Sequence, residues 1–269
     1  MKMNEIIQKI EEKFPLWIQE EYDNTGSQIV FPDESIKGIY ICLDADTITI
    51  EDAIANDCNL IISHHPLIFK PVNKINNHES RSKAIIRLIE NRITLYSIHT
   101  NFDKIMYSYL SDISGFGKGK LLLQKGVLND KNIGYGSIVN LKRATTMFKV
   151  LKQIKKNLDL DMLIFSGDIE KPIKTIVFIN GSGGSSMEKI IKSMHPDCIV
   201  TGDVGYHNAK YAIDNDVCVI DAGHFGTENI FKKLLAESVN TIISVRKNRP
   251  EIKISEVEKN PFKVYRDHE

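Results

Sequence analysis

The chain has 269 residues, 42% of them hydrophobic, and its 35 Lys and Arg are matched by 35 Asp and Glu, so the formal net charge is zero. That length suits two domains, and the charge balance argues against a protein that works mainly on nucleic-acid backbones, which needs a basic footprint. The N-terminal segment is amphipathic rather than an apolar signal core, and no apolar run approaches the ~20 residues of a membrane span.

The pattern of Ile6, Ile7, Ile10 and Phe14 predicts a helix over residues 4–14, with Asn4 as its cap and Pro15 as its stop. Tyr22-Asp23-Asn24-Thr25-Gly26 reads as a turn. Strands are expected at 38–43, 58–63 and 93–98, and helices at 47–56 and 79–91. A second set begins near Gly126, with strands at 135–141, 174–180, 197–201 and 217–221. Its helices are expected at 145–158, from the Gly181-Ser182-Gly183-Gly184 loop to Met194, at 206–214 and at 227–239. Strands alternating with helices predict an α/β protein with mainly parallel sheets covered on both faces. Cys42, Cys58, Cys198 and Cys218 lie in or beside apolar runs without CxxC spacing, so they are expected as reduced core residues of a cytoplasmic protein.

Three short segments concentrate metal-ligand chemistry at predicted strand ends. They hold His64 and His65, His99 and Asp103, and His224 and Glu228. In a regular strand the adjacent histidines would face opposite ways, but at a strand exit before Pro66 the backbone can turn so that both rings converge. The other two pairs are spaced i and i+4, which in a helical turn shares one face. The bland readings are a surface His–Asp pair for the first of these and helix capping by Glu228 for the second. In open α/β sheets, ligands bind outside the carboxyl ends of strands. Six such groups exceed the needs of one tetrahedral ion and suit two ions. Four imidazoles and two carboxylates without a thiolate are compatible with zinc, iron, manganese or nickel. Two divalent ions against two carboxylates leave roughly two positive charges, which favours an anionic substrate and a metal-activated water. If all six groups serve one site, the C-terminal segment must return to the first sheet. The expected division is then 1–125 plus 220–269 as the metal-binding α/β domain, with 126–219 as an inserted α/β domain.

Asp203 and His207 read either as acid/base or substrate-binding catalytic groups or as a structural pair. The Gly181 loop reads either as an anion cradle or as a tight turn. Asp44 and Asp46 are placed to face the same cleft as the ligands, and the helix bearing Lys149, Lys152, Lys155 and Lys156 reads as a solvated face.

The stretches Tyr22 to Gly26, Leu-Ile-Ile-Ser-His-His-Pro-Leu-Ile-Phe at 60–69, His-Thr-Asn-Phe-Asp at 99–103, 201–209 and 220–228 closely resemble, in order and spacing, the YbgI-like family. Its eukaryotic relatives are called NGG-one-interacting factors, and many bacterial members are labelled GTP cyclohydrolase 1 type 2 homologues. The resemblance implies a dinuclear metal site, a two-domain subunit with the second domain inserted, and a toroidal homohexamer. Carried over residue by residue, it assigns His64, His65, His99, Asp103, His224 and Glu228 as ligands. The chain departs from the family after Asp103, where relatives continue with a Gly- and Asn/Asp-containing stretch and this chain has Lys104 to Leu110. Two functions are expected to compete: a metal-dependent hydrolase of a nucleotide-like or other anionic small molecule, with GTP as one candidate, and a non-catalytic metal-binding or interaction ring.

Overall fold

Four apolar side chains at helical spacing start the fold. In the computed structural model, which describes residues 1–244 and 249–265, α1 (Met3–Lys13) buries Met3, Ile6, Ile7 and Ile10 along one stripe. The Lys2 amide, not Asn4, precedes the first turn, and it donates to the Glu5 carboxylate at 3.4 Å. There follow β1 (Gly26–Ile29), β2 (Gly38–Cys42), α2 (Thr47–Ala55), β3 (Leu60–Ser63), α3 (Ser80–Glu90), β4 (Thr94–Ser97) and α4 (Thr100–Ile105). Asp46 caps α2, accepting from the Thr49 amide at 2.9 Å, and so serves the helix rather than a cleft. The chain continues through α5 (Tyr109–Ser111), β5 (Lys120–Leu128), β6 (Lys131–Thr146), α6 (Met147–Asn157), β7 (Ile164–Ser166) and β8 (Pro172–Ser182). After these come α7 (Gly184–Met194), β9 (Cys198–Gly202), α8 (Tyr206–Asp214), β10 (Cys218–Asp221), α9 (His224–Glu228), α10 (Phe231–Ile243) and β11 (Glu251–Ile254).

Two compact units result. The first comprises Met1–Phe102 and Asn229–Lys259; the second comprises Asp103–Glu228 and the chain from Asn260 onward. The sheet of the first unit has the order β1-β4-β3-β2-β11. β4, β3, β2 and β11 run parallel, and β1 lies antiparallel on the edge. β2, β3 and β4 are buried along their whole length, as strands covered on both faces are. Tyr40, Cys42, Ile61 and Leu95 pack there with Ile50, Ala53, Ala84 and Leu88 of α2 and α3.

The sheet of the second unit has the order β5-β6-β8-β9-β10-β7. Its centre, β8-β9-β10, is parallel, while β5, β6 and β7 add antiparallel pairings. Val177, Ile199 and Val219 pack against Met187, Ile190, Ile191 and Ala212 of α7 and α8. Both sheets are therefore of the α/β class expected from the alternation of elements.

The unit boundaries differ from those expected from bringing the six ligand groups to one site. A division at 125/126 would cut β5 and one at 219/220 would cut β10, whose ladder with β9 pairs Val219 with Ile199 and Ile220 with Val200. The chain re-enters the first unit only at Asn229. The last helix, expected over 227–239, is two helices, α9 and α10, interrupted at Asn229 and Ile230. All four cysteines are free and buried. Among the described residues no helix is long and apolar enough to cross a membrane.

Candidate metal centre

In the first unit the histidine cluster forms because β3 ends at Ser63, one residue before the histidines. The amides of His64 and His65 both donate to the Leu43 carbonyl, at 3.1 and 2.9 Å, and the Ser63 hydroxyl donates to the carbonyl of His65 at 2.9 Å. This turn removes the strand alternation that would have sent the two rings to opposite faces. Their ring centroids are 5.1 Å apart, and the His99 ring lies 5.2 Å from His64 and 5.6 Å from His65. One ligand atom from each of the three lies within 4.8 Å of the others.

All three rings are oriented through Nδ1. His64 Nδ1 donates to the carbonyl of Ile98 at 2.9 Å, His65 Nδ1 meets Asp44 Oδ1 at 2.8 Å, and His99 Nδ1 meets Asp23 Oδ1 at 2.8 Å. A carbonyl only accepts, so His64 carries a proton on Nδ1, which makes Nε2 the nitrogen that can serve as a ligand. The Asp44 and Asp23 carboxylates, which only accept, likewise favour a proton on Nδ1 of His65 and His99. Metal-ligating histidines characteristically give their second nitrogen to a carbonyl or carboxylate in this way. The buried His64 ring also stacks against Phe231 with a centroid distance of 4.3 Å.

Asp23 is a site residue that sequence reasoning passed over as part of a turn. Its carboxylate binds His99 and accepts from the amide and hydroxyl of Thr100 and, at 3.0 Å, from the hydroxyl of Thr25. Burial alone would push this carboxyl up. The hydrogen bond and charge of His99 and the two hydrogen bonds from Thr100 outweigh it and hold Asp23 well below the usual carboxylate range. Asp44, expected only to face the cleft, has the definite partner His65.

The second unit holds Asp103, His224 and Glu228. Glu228 is buried, and its Oε2 lies 2.9 Å from His224 Nε2. His224 Nδ1 meets Asp203 Oδ2 at 2.6 Å, a third instance of a carboxylate behind an imidazole. Asp103 accepts from the Asn180 side-chain amide at 2.8 Å. Tyr109 donates to the Thr227 carbonyl at 3.0 Å, inside α9. Burial first, then the charges of Asp103 and Glu228, push its phenol well above the ordinary value. So Tyr109 supports the helix carrying both His224 and Glu228.

Gly181 explains itself here. Its φ is +58°, and a Cβ on it would stand 2.2 Å from Glu228 Oε1. The amides of Gly181 and Gly183 donate to the hydroxyls of Thr227 and Thr201 at 3.0 and 2.9 Å. The loop is therefore a tight turn, since these amides are spent internally.

Asp203 and His207, four residues apart in sequence, do not lie together on one helical turn. Asp203 has φ +54° and precedes α8, so it shares no helical face with His207. It is occupied with His224. His207 is exposed on α8, its ring edge-on to Tyr206 at 5.3 Å. The lysines at 149, 152, 155 and 156 are exposed, as a solvated face requires.

The donor sets fit a divalent ion of borderline softness: imidazole nitrogens oriented through Nδ1, buried carboxylates, and no thiolate. The sequence matches the family described as Duf34/NIF3 (NGG1p interacting factor 3) over residues 1–261. A Clostridium acetobutylicum protein called "GTP cyclohydrolase 1 type 2 homolog" is 35% identical over 231 residues, covering 85% of this chain and 85% of its own. A Campylobacter jejuni protein of the same name is 33% identical over 265 residues, covering 98% of this chain and 100% of its own. The crystal structure of a Bacillus cereus protein related to NIF3 matches with a TM-score of 0.90 at 19% identity, over 98% of this chain and 99% of that one, a likeness of fold alone. With a family match across nearly its whole length and relatives above 30% identity, this chain belongs to the Duf34/NIF3 family.

Proposed function

We propose that the protein is a divalent-metal-dependent hydrolase acting on an anionic, nucleotide-like small molecule. The observation that carries this reading is the cluster of His64, His65 and His99, each held through Nδ1 so that Nε2 is the ligand atom. The proposed ligand set is these three with Asp103, His224 and Glu228, serving two divalent ions. The carboxylate behind His224 and the burial of Asp103 and Glu228 support including the second three. The names of the Clostridium and Campylobacter relatives make GTP the first substrate to test.

Bound divalent ions supply a water of lowered pKa and a Lewis acid. The chain's own part is orientation and proton movement. Asp23, Asp44 and Asp203 hold His99, His65 and His224, and raise their basicity as ligands. His207 is the candidate for passing a proton to the leaving group, and Asp203 acts through His224 rather than on substrate. The resemblance of motifs supports assembly as a homohexamer, and the four free cysteines support a reducing, cytoplasmic setting.

The test has two steps. Purified protein is analysed for bound metal, then the metal-loaded form is assayed against GTP, other nucleotides and phosphoesters, with sedimentation alongside. Two equivalents of metal per chain and turnover of a nucleotide support the reading. Full metal loading with no turnover of any of these would replace it with a non-catalytic metal-binding ring.

A further inference from the structure

Glu258 lies just beyond β11, far in sequence from every ligand, and its side chain is 7% exposed. It is paired with Lys232 of α10, itself 8% exposed, at 3.2 Å. Lys232 also donates to the Ser255 carbonyl at 2.9 Å, so the ammonium is tied to the same C-terminal segment. An ion pair this buried contributes little to stability, because desolvation offsets the attraction. Its geometry is more informative. The second oxygen of Glu258 accepts from two consecutive amides, Leu43 at 2.9 Å and Asp44 at 2.8 Å. Those two residues carry the histidine pair from the other side. The Leu43 carbonyl takes the amides of His64 and His65, and the Asp44 carboxylate takes His65 Nδ1.

We propose that Glu258 is a positioning residue for the His65 ligand, acting through Leu43 and Asp44, with Lys232 fixing its charge and direction. The inference rests on the reading of His65 as a ligand. The Glu258 carboxylate anchors the Leu43–Asp44 peptide, that peptide aims the Asp44 carboxylate, and Asp44 sets the tautomer and direction of His65. Metal affinity is therefore sensitive to a carboxylate two steps removed from the metal.

The experiment is a Co2+ titration of the full-length apo-protein, followed by its visible absorption, with thermal melting of each apo-variant in parallel. Glu258→Asp keeps the charge for Lys232 but withdraws the carboxylate from the amides by about one C–C bond, ~1.5 Å. It is expected to weaken Co2+ binding by about 10–100-fold, the usual range for a partner behind a ligand. Glu258→Gln keeps an acceptor oxygen at full length and is expected to retain most of the affinity. Asp44→Ala lowers affinity by itself, and adding Glu258→Asp to it is expected to lower it no further, because the effect passes through Asp44. A general loss of packing would lower affinity equally in both backgrounds. Wild-type affinity in Glu258→Asp, or a full further loss in the double variant, overturns the proposal while leaving the metal reading intact. His65→Ala separates the two failures: if it binds Co2+ as wild type does, or if wild type binds none, the ligand assignment falls and this proposal falls with it.

Discussion

Replacing Gly181 by alanine tests the seat of Glu228 with a single methyl group. Two costs can be read from the structure. At φ +58° the backbone is in the left-handed region, where a residue with a Cβ costs about 1–2 kcal/mol. The methyl would also stand 2.2 Å from Glu228 Oε1 and 3.4 Å from His224 Nε2. Ordinary contact between such atoms is ~3.5 Å, so the carboxylate must retreat by about 1 Å. The strain alone predicts a melting temperature lower by about 2–8 °C. The displacement predicts a larger effect on metal binding, about 100-fold, since a misplacement of that size is worth two orders of magnitude at a preorganised centre. Gly126→Ala is the control, because its methyl meets Ile133 at an unstrained 3.6 Å. That variant is expected to match wild type in metal binding and to gain about 0.4–1 kcal/mol. Calorimetric metal titration and thermal melting read both quantities. If Gly181→Ala melts lower but binds metal as wild type does, the loop shapes the fold and not the seat of Glu228, and the reasoning is refuted.

Tyr109→Phe removes the hydrogen bond to the Thr227 carbonyl inside α9 and should cost about 1–2 kcal/mol in urea unfolding; an unchanged midpoint would deny Tyr109 that role. Asp23→Asn should show a pH-dependent penalty. The folded carboxyl is held below its unfolded value of about 3.9, so its contribution is complete above roughly pH 5 and fades as pH falls through the acid range. The stability gap between wild type and variant should therefore be constant near neutrality and shrink on acidification. A gap that widened in acid would reverse the sign of the argument. His207→Ala should keep its metals and lose about 10²–10⁴ in turnover, measured by metal analysis beside steady-state kinetics; loss of metal would place His207 in the ligand set instead.

The residues bearing ligand chemistry were legible because each pair is local: adjacent, or four apart, at the end of an apolar run. What orients them was not legible by spacing. Asp23 and His99 are 76 residues apart, Asp44 and His65 21 apart, and no periodicity connects them. The i, i+4 argument also had limits. It suits His224 and Glu228, which share α9, but Asp203 precedes its helix and turned out to serve His224. Strands with strong apolar runs, such as β2, β3 and β9, were readable as buried parallel strands. The edges were harder. β5 and β7 expose much of their length, so their patterns are diluted, and β11 is only four residues long. One signal was available at β5. Asn129 and Asp130, both at positive φ, form the two-residue turn that such hairpins favour.

The clasp between Glu258 and the Leu43–Asp44 peptide has a consequence for biosynthesis. Its partners are 215 residues apart in sequence, so at ribosomal speeds the acceptor follows its donors by about 10–40 s. Through that interval β2 lacks its neighbour β11, and a parallel edge stands open to pairing with another nascent chain. The strands of the second unit's sheet, by contrast, are encoded by one uninterrupted stretch, from Lys120 to Asp221. The turn that carries His65 would thus gain its Glu258 support only after residue 258 has been translated. Truncations upstream of Glu258 should then yield chains that retain the second sheet yet aggregate through the first.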